Sequence, residues 1–202
     1  MKRSYYFLLV LFSVSIFTQS CEENSTEPNI NNDVLIPLKV GNYWKALFYD
    51  YDFGGEPDTV GIYVVKDSVW NNEKIYRISQ SPDSIDYEAP FYINRYDGCY
   101  FLFDVKSNPI LYFKFPVKEG ETYMSIVGTM CVEKINVEYT VPAGTFKCYK
   151  YVTEYAMDDV INKTIIYFSP GIGQIATENY YKDNNRDMYL ESKWELIEYK
   201  VK

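Results

Sequence analysis

Histidine is absent from this chain of 202 residues. Its absence excludes Ser-His-Asp and Cys-His nucleophilic catalysis, histidine metal sites and an imidazole switch near neutral pH. Basic residues are also outnumbered, with 20 Lys and Arg against 28 Asp and Glu and no basic cluster. Nucleic acids and anionic headgroups are bound through clustered Lys and Arg. The sequence therefore predicts a non-enzymatic protein with no cofactor, no metal site and no nucleic-acid partner.

A membrane-spanning run is also lacking, because the N-terminal apolar run covers only residues 5–17. A transmembrane helix needs about 20 apolar residues. The run follows Lys2 and Arg3, ends at Thr18-Gln19-Ser20, and is succeeded by a polar stretch without stop-transfer charges. These are the three parts of a secretory signal. We predict that residues 1–20 are a signal peptide removed on export.

Cysteine is scarce, and the first of the four, Cys21, directly follows the signal. This is where a lipoprotein signal places the thiol that receives a diacylglycerol, and acyl chains supply membrane affinity at about 0.8 kcal/mol per buried methylene. The flanking Thr18 and Ser20 depart from the common Leu and Ala or Gly, and the alternative is ordinary cleavage after Ser20. We predict a lipidated Cys21, a flexible tether over residues 21–36 and a single domain over residues 37–202.

The three remaining cysteines, Cys99, Cys131 and Cys148, form no CxxC motif. An odd number cannot all pair within one chain, so at most one disulfide forms. An exported protein meets an oxidising environment that permits a disulfide. Buried thiols are nevertheless the expectation, and a bond between Cys131 and Cys148 is not expected.

Aromatic residues are plentiful, with 22 tyrosines, and they favour strands, where they pack on a pleated surface. Apolar and aromatic runs of five to ten residues recur from about Leu38 onward, separated by Gly, Pro, Asn and Asp and without a period of 3.6. They predict twelve strands: 43–51, 59–68, 74–80, 91–96, 99–105, 110–115, 122–127, 132–141, 146–155, 163–169, 173–181 and 188–201.

Tight turns between these strands, without crossover helices, predict an all-β antiparallel meander. Such a meander hides its edges by curling into a barrel or a strongly curved sheet. A two-sheet β-sandwich is the alternative. In one hairpin a four-residue loop, 142–145, would place Val141 opposite Phe146 and Tyr139 opposite Cys148, with Tyr149 and Tyr151 on the half-solvated face.

Two stretches and an opening resemble a family of lipoproteins and secreted proteins from Bacteroidota and related bacteria that has no established activity. The stretches are VPAGTFKCY at 141–149 and YFSPGIGQI at 167–175, and the opening is PLKVGNYW at 37–44. The resemblance implies a β-domain of the cell envelope and no catalytic residue. The acids Glu22 and Glu23 after Cys21 resemble those of Bacteroidota lipoproteins in which such acids direct export to the outer cell surface.

Several polar groups suggest chemistry only weakly. The segment 183–187 begins like an EF-hand loop but has Met188 for the glycine and Trp194 for the bidentate glutamate. Asp50 and Asp52 share a strand face, as a carboxylate pair for a cation or acid–base chemistry would. Asp158 and Asp159 lie in a predicted loop, and Asn162-Lys163-Thr164 matches a glycosylation acceptor. A polar turn and solvent-facing acids are the expectation at these sites.

Three functions fit an envelope lipoprotein held in the outer membrane by its N-terminal lipid, on either the periplasmic or the outer face. The first is a non-catalytic domain that binds a partner protein or an envelope component. The second is a carbohydrate-binding domain, suggested by Trp44, Trp70, Trp194 and the tyrosines. The third is a carrier that holds a lipid or another apolar molecule inside the curved sheet, for which a cavity of several hundred Å³ would be the sign.

Overall fold

The computed structural model describes residues 33–84, 89–157, 159–183 and 186–202, and its regular structure over these ranges is β. None of the described residues belongs to a helix with the length and apolar character needed to cross a membrane. The predicted signal peptide 1–20, Cys21 and the tether as far as residue 32 lie outside the described residues.

Twelve strands follow one another along the chain, each matching a predicted strand. The bounds are β1 Tyr43–Asp50, β2 Asp58–Trp70, β3 Glu73–Ser79, β4 Phe91–Arg95, β5 Gly98–Leu102, β6 Ile110–Lys114, β7 Thr122–Ser125, β8 Gly128–Val141, β9 Gly144–Met157, β10 Val160–Ser169, β11 Gly173–Asp183 and β12 Arg186–Lys200. The predicted all-β class is confirmed. The largest shift at a strand start is in β8, which begins at Gly128 rather than Val132.

All twelve strands belong to one sheet, in the order β6-β5-β4-β3-β2-β1-β12-β11-β10-β9-β8-β7. Each ladder is antiparallel, and the pairing of β1 with β12 joins the two halves of the meander. The outermost strands β6 and β7 meet without a ladder, through Ile126 N donating to Leu111 O (3.0 Å) and Ser125 Oγ donating to Tyr112 O (2.6 Å). The sheet is therefore a nearly closed barrel, and the sandwich alternative is wrong.

The segment before β1 packs against the barrel. Leu35 is only 2% exposed and lies in an apolar cluster with Phe113 and Tyr151. Its neighbours are held by backbone contacts, with Gly171 N donating to Val34 O (2.7 Å) and Asn94 Nδ2 donating to Ile36 O (2.7 Å). The folded domain thus includes residues 35 and 36, which the sequence assigned to the tether.

The predicted register of the β8–β9 hairpin is wrong by two residues. Val141 faces Gly144, so the loop is Pro142-Ala143 rather than four residues, and Tyr139 faces Phe146. Further along, the register shifts between Val132 and Val137, where Asn136 has a φ of 58°. Such bulges insert an extra residue and interrupt strict alternation.

These bulges change which side chains of the hairpin are buried. Tyr151, predicted on the half-solvated face, is fully buried beside Met130 and Val132. Its hydroxyl donates to Lys114 O at 3.0 Å. The alternation of buried and exposed side chains that the turn predicts therefore holds only near the tip of the hairpin.

The tip of the β8–β9 hairpin folds over strands that are not its neighbours in the sheet. Ala143 N donates to Leu196 O (3.1 Å) in β12, and the hydroxyl of Tyr139 donates to Glu178 Oε1 (2.6 Å) in β11. The rings of Tyr139 and Tyr167 are 3.9 Å apart. We call residues 137–148 the clasp, because they connect β8 and β9 with β11 and β12.

Candidate functional site

A cavity of about 610 Å³, partly open to solvent, lies inside the curved sheet. Strands from both halves of the meander line it. Its aromatic lining consists of Trp44, Tyr92, Tyr112, Phe113, Phe168 and Trp194, and its aliphatic lining of Ile36, Ile62 and Ile78. Small-molecule sites are typically concave, mostly apolar and of about 300–1,000 Å³, so the size and lining fit a ligand site.

Polar side chains line the part of the cavity formed by the connection between β3 and β4. The described polar lining there comprises Ser79, Gln80, Ser81 and Ser84, next to Ala89 and Pro90. Gln174 is a further polar lining residue, and its Nε2 donates to Thr177 Oγ1 at 2.8 Å. No Asp, Glu, Lys or Arg is among the described residues that line the cavity. As far as the described residues show, the cavity has an apolar interior and an edge lined by uncharged polar side chains.

The YFSPGIGQI stretch forms part of this cavity. Phe168 and Gln174 line it, while the carbonyl of Ile172 accepts a hydrogen bond from Trp44 Nε1 at 2.5 Å. A Cβ at Gly173 would come within 3.0 Å of that same indole nitrogen, so the glycine provides the space in which the Trp44 ring sits. The YFSPGIGQI stretch, which connects β10 to β11, therefore forms one wall of the cavity.

An aromatic row forms another wall. The ring centroids of Tyr112 and Phe113 are 4.3 Å apart, and those of Phe113 and Phe168 are 4.5 Å apart in an edge-on arrangement. Tyr92 lies 6.1 Å from Tyr112. Aromatic pairs at such distances add to the stability given by area burial, so this wall is packed in place before any ligand arrives.

The hydroxyls of Tyr92 and Tyr112 lack a hydrogen-bond partner among the described residues. Burial raises the pKa of both phenols above the ordinary value. Both side chains therefore stay neutral at physiological pH and keep an O–H donor.

The tryptophans do not form the exposed row that a sugar-stacking surface needs. Trp44 is 4% and Trp194 9% exposed, and both line the cavity. The third, Trp70, donates Nε1 to Val105 O at 2.9 Å. Two strongly exposed rings, Phe53 and Tyr96, follow β1 and β4 respectively. Antiparallel alternation puts those two connections at opposite ends of the barrel, so the two rings are not neighbours.

The candidate acidic side chains Asp50 and Asp52 stabilise local structure through hydrogen bonds and an ion pair. Asp50 Oδ1 accepts the backbone N–H groups of Asp52 (3.1 Å) and Phe53 (3.2 Å). Asp52 accepts from the hydroxyl of Tyr189 at 3.1 Å and lies 3.5 Å from Arg186. The two carboxylates therefore have separate structural partners and are not a paired site.

The segment resembling an EF-hand loop is the β11–β12 turn, in which Asp183 Oδ1 accepts the backbone N–H of Arg186 at 3.0 Å. Residues 184 and 185 of that segment and Asp158 lie outside the described residues. Asp159 is exposed, and Asn162 is part of β10. Across the described ranges, no three acidic or cysteine side chains are grouped so that they could hold a metal ion.

The three described cysteines are free thiols. Cys148 faces Val137 and Cys131 faces Val152 in the β8–β9 ladder, so the two are not paired across the hairpin. Burial raises the pKa of Cys99 and of Cys148 to about 12. These two thiols are therefore protonated and unreactive at neutral pH.

Sequence reasoning missed most of the cavity. It named Trp44 and Trp194, but as surface sugar platforms, and it assigned no binding role to Tyr92, Tyr112, Phe168 or Gln174. An inward-facing residue that packs against another side chain and one that borders empty space have the same strand pattern. The sequence features that could have indicated the cavity were the predicted curved meander and the excess of tyrosine.

No family model and no curated protein matches the chain. Two similar solved structures are a "putative lipoprotein" from Parabacteroides distasonis ATCC 8503 and a "putative exported protein with YmcC-like fold" from Bacteroides fragilis NCTC 9343. The first is 17% identical with a TM-score of 0.49, and the second is 14% identical with a TM-score of 0.44. In each case the match covers 83% of this chain and 99% of the other. Both source organisms are Bacteroidota.

Proposed function

We propose that this chain is a non-catalytic lipoprotein of the cell envelope, anchored through Cys21, whose barrel-like domain binds a small, mostly apolar molecule. The observation behind the proposal is the cavity of about 610 Å³ lined by six aromatic and three aliphatic side chains. Among the three expected functions, this cavity favours the carrier over the carbohydrate-binding surface. A component of the envelope bound there would also satisfy the broader expectation of an envelope-binding domain.

Burial of a ligand in this cavity is driven by its apolar surface. Each Å² of apolar surface removed from water contributes about 25 cal/mol, and preformed walls reduce the ordering cost of binding. The aromatic row and the seated Trp44 ring provide such walls. The arrangement thus supports reversible binding of an apolar molecule.

Ligand binding is tested with N-phenyl-1-naphthylamine, an apolar probe whose fluorescence rises on transfer out of water. We expect saturable binding, accompanied by quenching of tryptophan emission because Trp44 and Trp194 line the cavity. The double variant Ile62→Phe with Ile78→Phe fills the cavity and should abolish binding. The matched control is Val69→Phe, at a position on β2 that is 69% exposed.

Binding by the cavity-filled variant at the wild-type affinity would disprove the assignment to this site, provided that circular dichroism shows the variant folded. No saturable binding by the wild-type chain would overturn the proposed function itself. The Val69→Phe variant should bind as the wild type does, since it adds the same ring outside the cavity.

The anchor is tested separately by metabolic labelling with palmitate. We expect label on the wild-type chain and none on Cys21→Ala, and globomycin should leave the signal peptide uncleaved. Cys131→Ala is the matched control, because Cys131 is a partly exposed thiol of the folded domain. Unlabelled wild-type protein, or label that persists in Cys21→Ala, would overturn the lipid anchor.

A further inference from the structure

We infer that the ligand is uncharged and has an apolar body with one polar group that accepts a hydrogen bond from Tyr92 or Tyr112. This inference depends on the proposed function, because it concerns the same cavity. It adds the chemical class of the ligand: neutral amphipathic molecules such as long-chain alcohols, esters or amides, as opposed to fatty acid anions or cationic amphiphiles.

The charge of the ligand follows from the lining. None of the described lining residues is acidic or basic, although 24% of the chain is charged. An ion that leaves water for an apolar site without a counter-charge loses far more free energy than a hydroxyl or amide does. An anionic or cationic head would therefore have to stay outside, and a neutral head can enter.

The polar group of the ligand follows from the two phenols. Tyr92 on β4 and Tyr112 on β6 both line the cavity, with Phe101 of β5 packed against both rings at centroid distances of 5.4 and 6.1 Å. This packing restricts the rings and so the directions of their hydroxyls. Neither hydroxyl has a partner among the described residues. Neither oxygen is among the fully buried unpartnered atoms of those residues, so both remain accessible as donors.

A carbonyl, ether or hydroxyl oxygen of the ligand would supply an acceptor for one of these donors. The other polar lining groups differ in position, because Ser79, Gln80, Ser81 and Ser84 lie at the β3–β4 connection and Gln174 Nε2 donates one hydrogen to Thr177 Oγ1. The two phenols belong to the aromatic wall that binds the apolar body, so they are the donors placed to select its polar group. Selection depends on the hydrogen bond, and affinity depends mainly on apolar burial.

The test uses displacement of N-phenyl-1-naphthylamine from the full mature chain at pH 8 by three C12 amphiphiles: 1-dodecanol, dodecanoate and dodecyltrimethylammonium. Their chains are equal and their heads are neutral, anionic and cationic. We expect dodecanol to displace the probe at a concentration at least about tenfold lower than either ion. Equal displacement by dodecanoate would overturn the inference and leave the proposed function standing.

The role of the phenols is tested by the double variant Tyr92→Phe with Tyr112→Phe. We expect its affinity for dodecanol to fall roughly five- to tenfold, with unchanged affinity for the probe, which shows that the cavity is intact. Tyr155→Phe, at an exposed position away from the cavity, is the control and should leave both affinities unchanged. Wild-type affinity for dodecanol in the double variant would refute the role of these hydroxyls, whereas no probe binding in the wild type would refute the proposed function.

Discussion

Tyrosine residues have two roles in this chain, and the two groups differ in how far the side chain is buried and whether its hydroxyl has a partner. Tyr151 is fully buried, and its hydroxyl is satisfied by the carbonyl of Lys114 at 3.0 Å. Tyr92 and Tyr112 are partly buried, and their hydroxyls lack a partner among the described residues. The first use stabilises the fold by packing and hydrogen bonding, and the second leaves donors at a cavity.

Replacing Tyr151 by alanine should destabilise the domain by about 3–5 kcal/mol, the cost of removing a large buried aromatic side chain. The loss also leaves the Lys114 carbonyl without its donor. The measurement is urea denaturation followed by tryptophan fluorescence. The control Tyr155→Ala removes a side chain that is 60% exposed and should cost less than about 1 kcal/mol; equal costs for the two variants would contradict the packing described for Tyr151.

The β8–β9 hairpin shows how a single element connects distant strands. Each of its two strands has 14 residues, whereas the neighbouring strands β7 and β10 have 4 and 10. The bulge near Asn136 bends the hairpin, and the clasp residues then reach Glu178 on β11 and Leu196 on β12. The VPAGTF stretch is therefore structural, whereas YFSPGIGQI contributes to the cavity.

Asn136 provides a test of the bulge because its φ of 58° lies in the left-handed region. Asparagine and glycine tolerate this conformation better than other residues. We expect Asn136→Ala to lower the free energy of unfolding by about 1 kcal/mol, and Asn136→Gly to be nearly neutral. Thermal denaturation of the two variants gives the comparison, and a larger loss in the glycine variant would show that the backbone conformation is not the reason for asparagine at this position.

At the scale of the whole molecule, the sheet closes on itself everywhere except between β6 and β7. There the strands meet through one backbone hydrogen bond, from Ile126 N to Leu111 O, and two that involve side chains: Ser125 Oγ donates to Tyr112 O, and Tyr123 Oη accepts from Lys114 N. Tyr112, which lines the cavity, thus also takes part in the contact between β6 and β7. The other neighbouring strands are joined by antiparallel ladders, of which the one between β3 and β4 has two described residue pairs. These ladders form the frame around the internal site.

The stability of the molecule should be flat near neutral pH and fall on both sides. Histidine, the side chain that normally titrates between pH 5 and 8, is absent. Salt-bridged glutamates have pKa values lowered from 4.5, so their stabilisation is present above that value and is lost as pH falls through the lower folded value. They are Glu73, Glu119, Glu121, Glu133 and Glu198.

At high pH, the ionisation of buried tyrosines and thiols lowers the stability of the fold. Burial raises the pKa of Tyr100 from 10.0 to about 12 and that of Cys99 from 9.0 to about 12. Their stabilisation is fully present below the unfolded values and is lost as pH rises through the folded ones. We expect the Tm to be level from about pH 6 to 8 and to decline above about pH 9; a step in Tm between pH 6 and 7 would contradict this.

Local patterns in the sequence were sufficient to determine the strands and several turns. All twelve strands were predicted because alternating aromatic and β-branched runs end at turn residues, as at Asn71 and Asn72, whose φ values of 48° and 66° fit a two-residue hairpin turn. The all-β class follows from the same patterns. The lipid on Cys21 also comes from the sequence and stays a prediction.

Only the tertiary structure decided the hairpin register, the clasp and the cavity. The register depends on where the bulge at Asn136 falls, and the turn residues of the hairpin do not fix that position. The cavity depends on how far the sheet curves before its edges meet, which alternation does not encode. Trp44 and Tyr92 are inward-facing in the sequence pattern, but only closure of the sheet shows that they border a space large enough for a ligand.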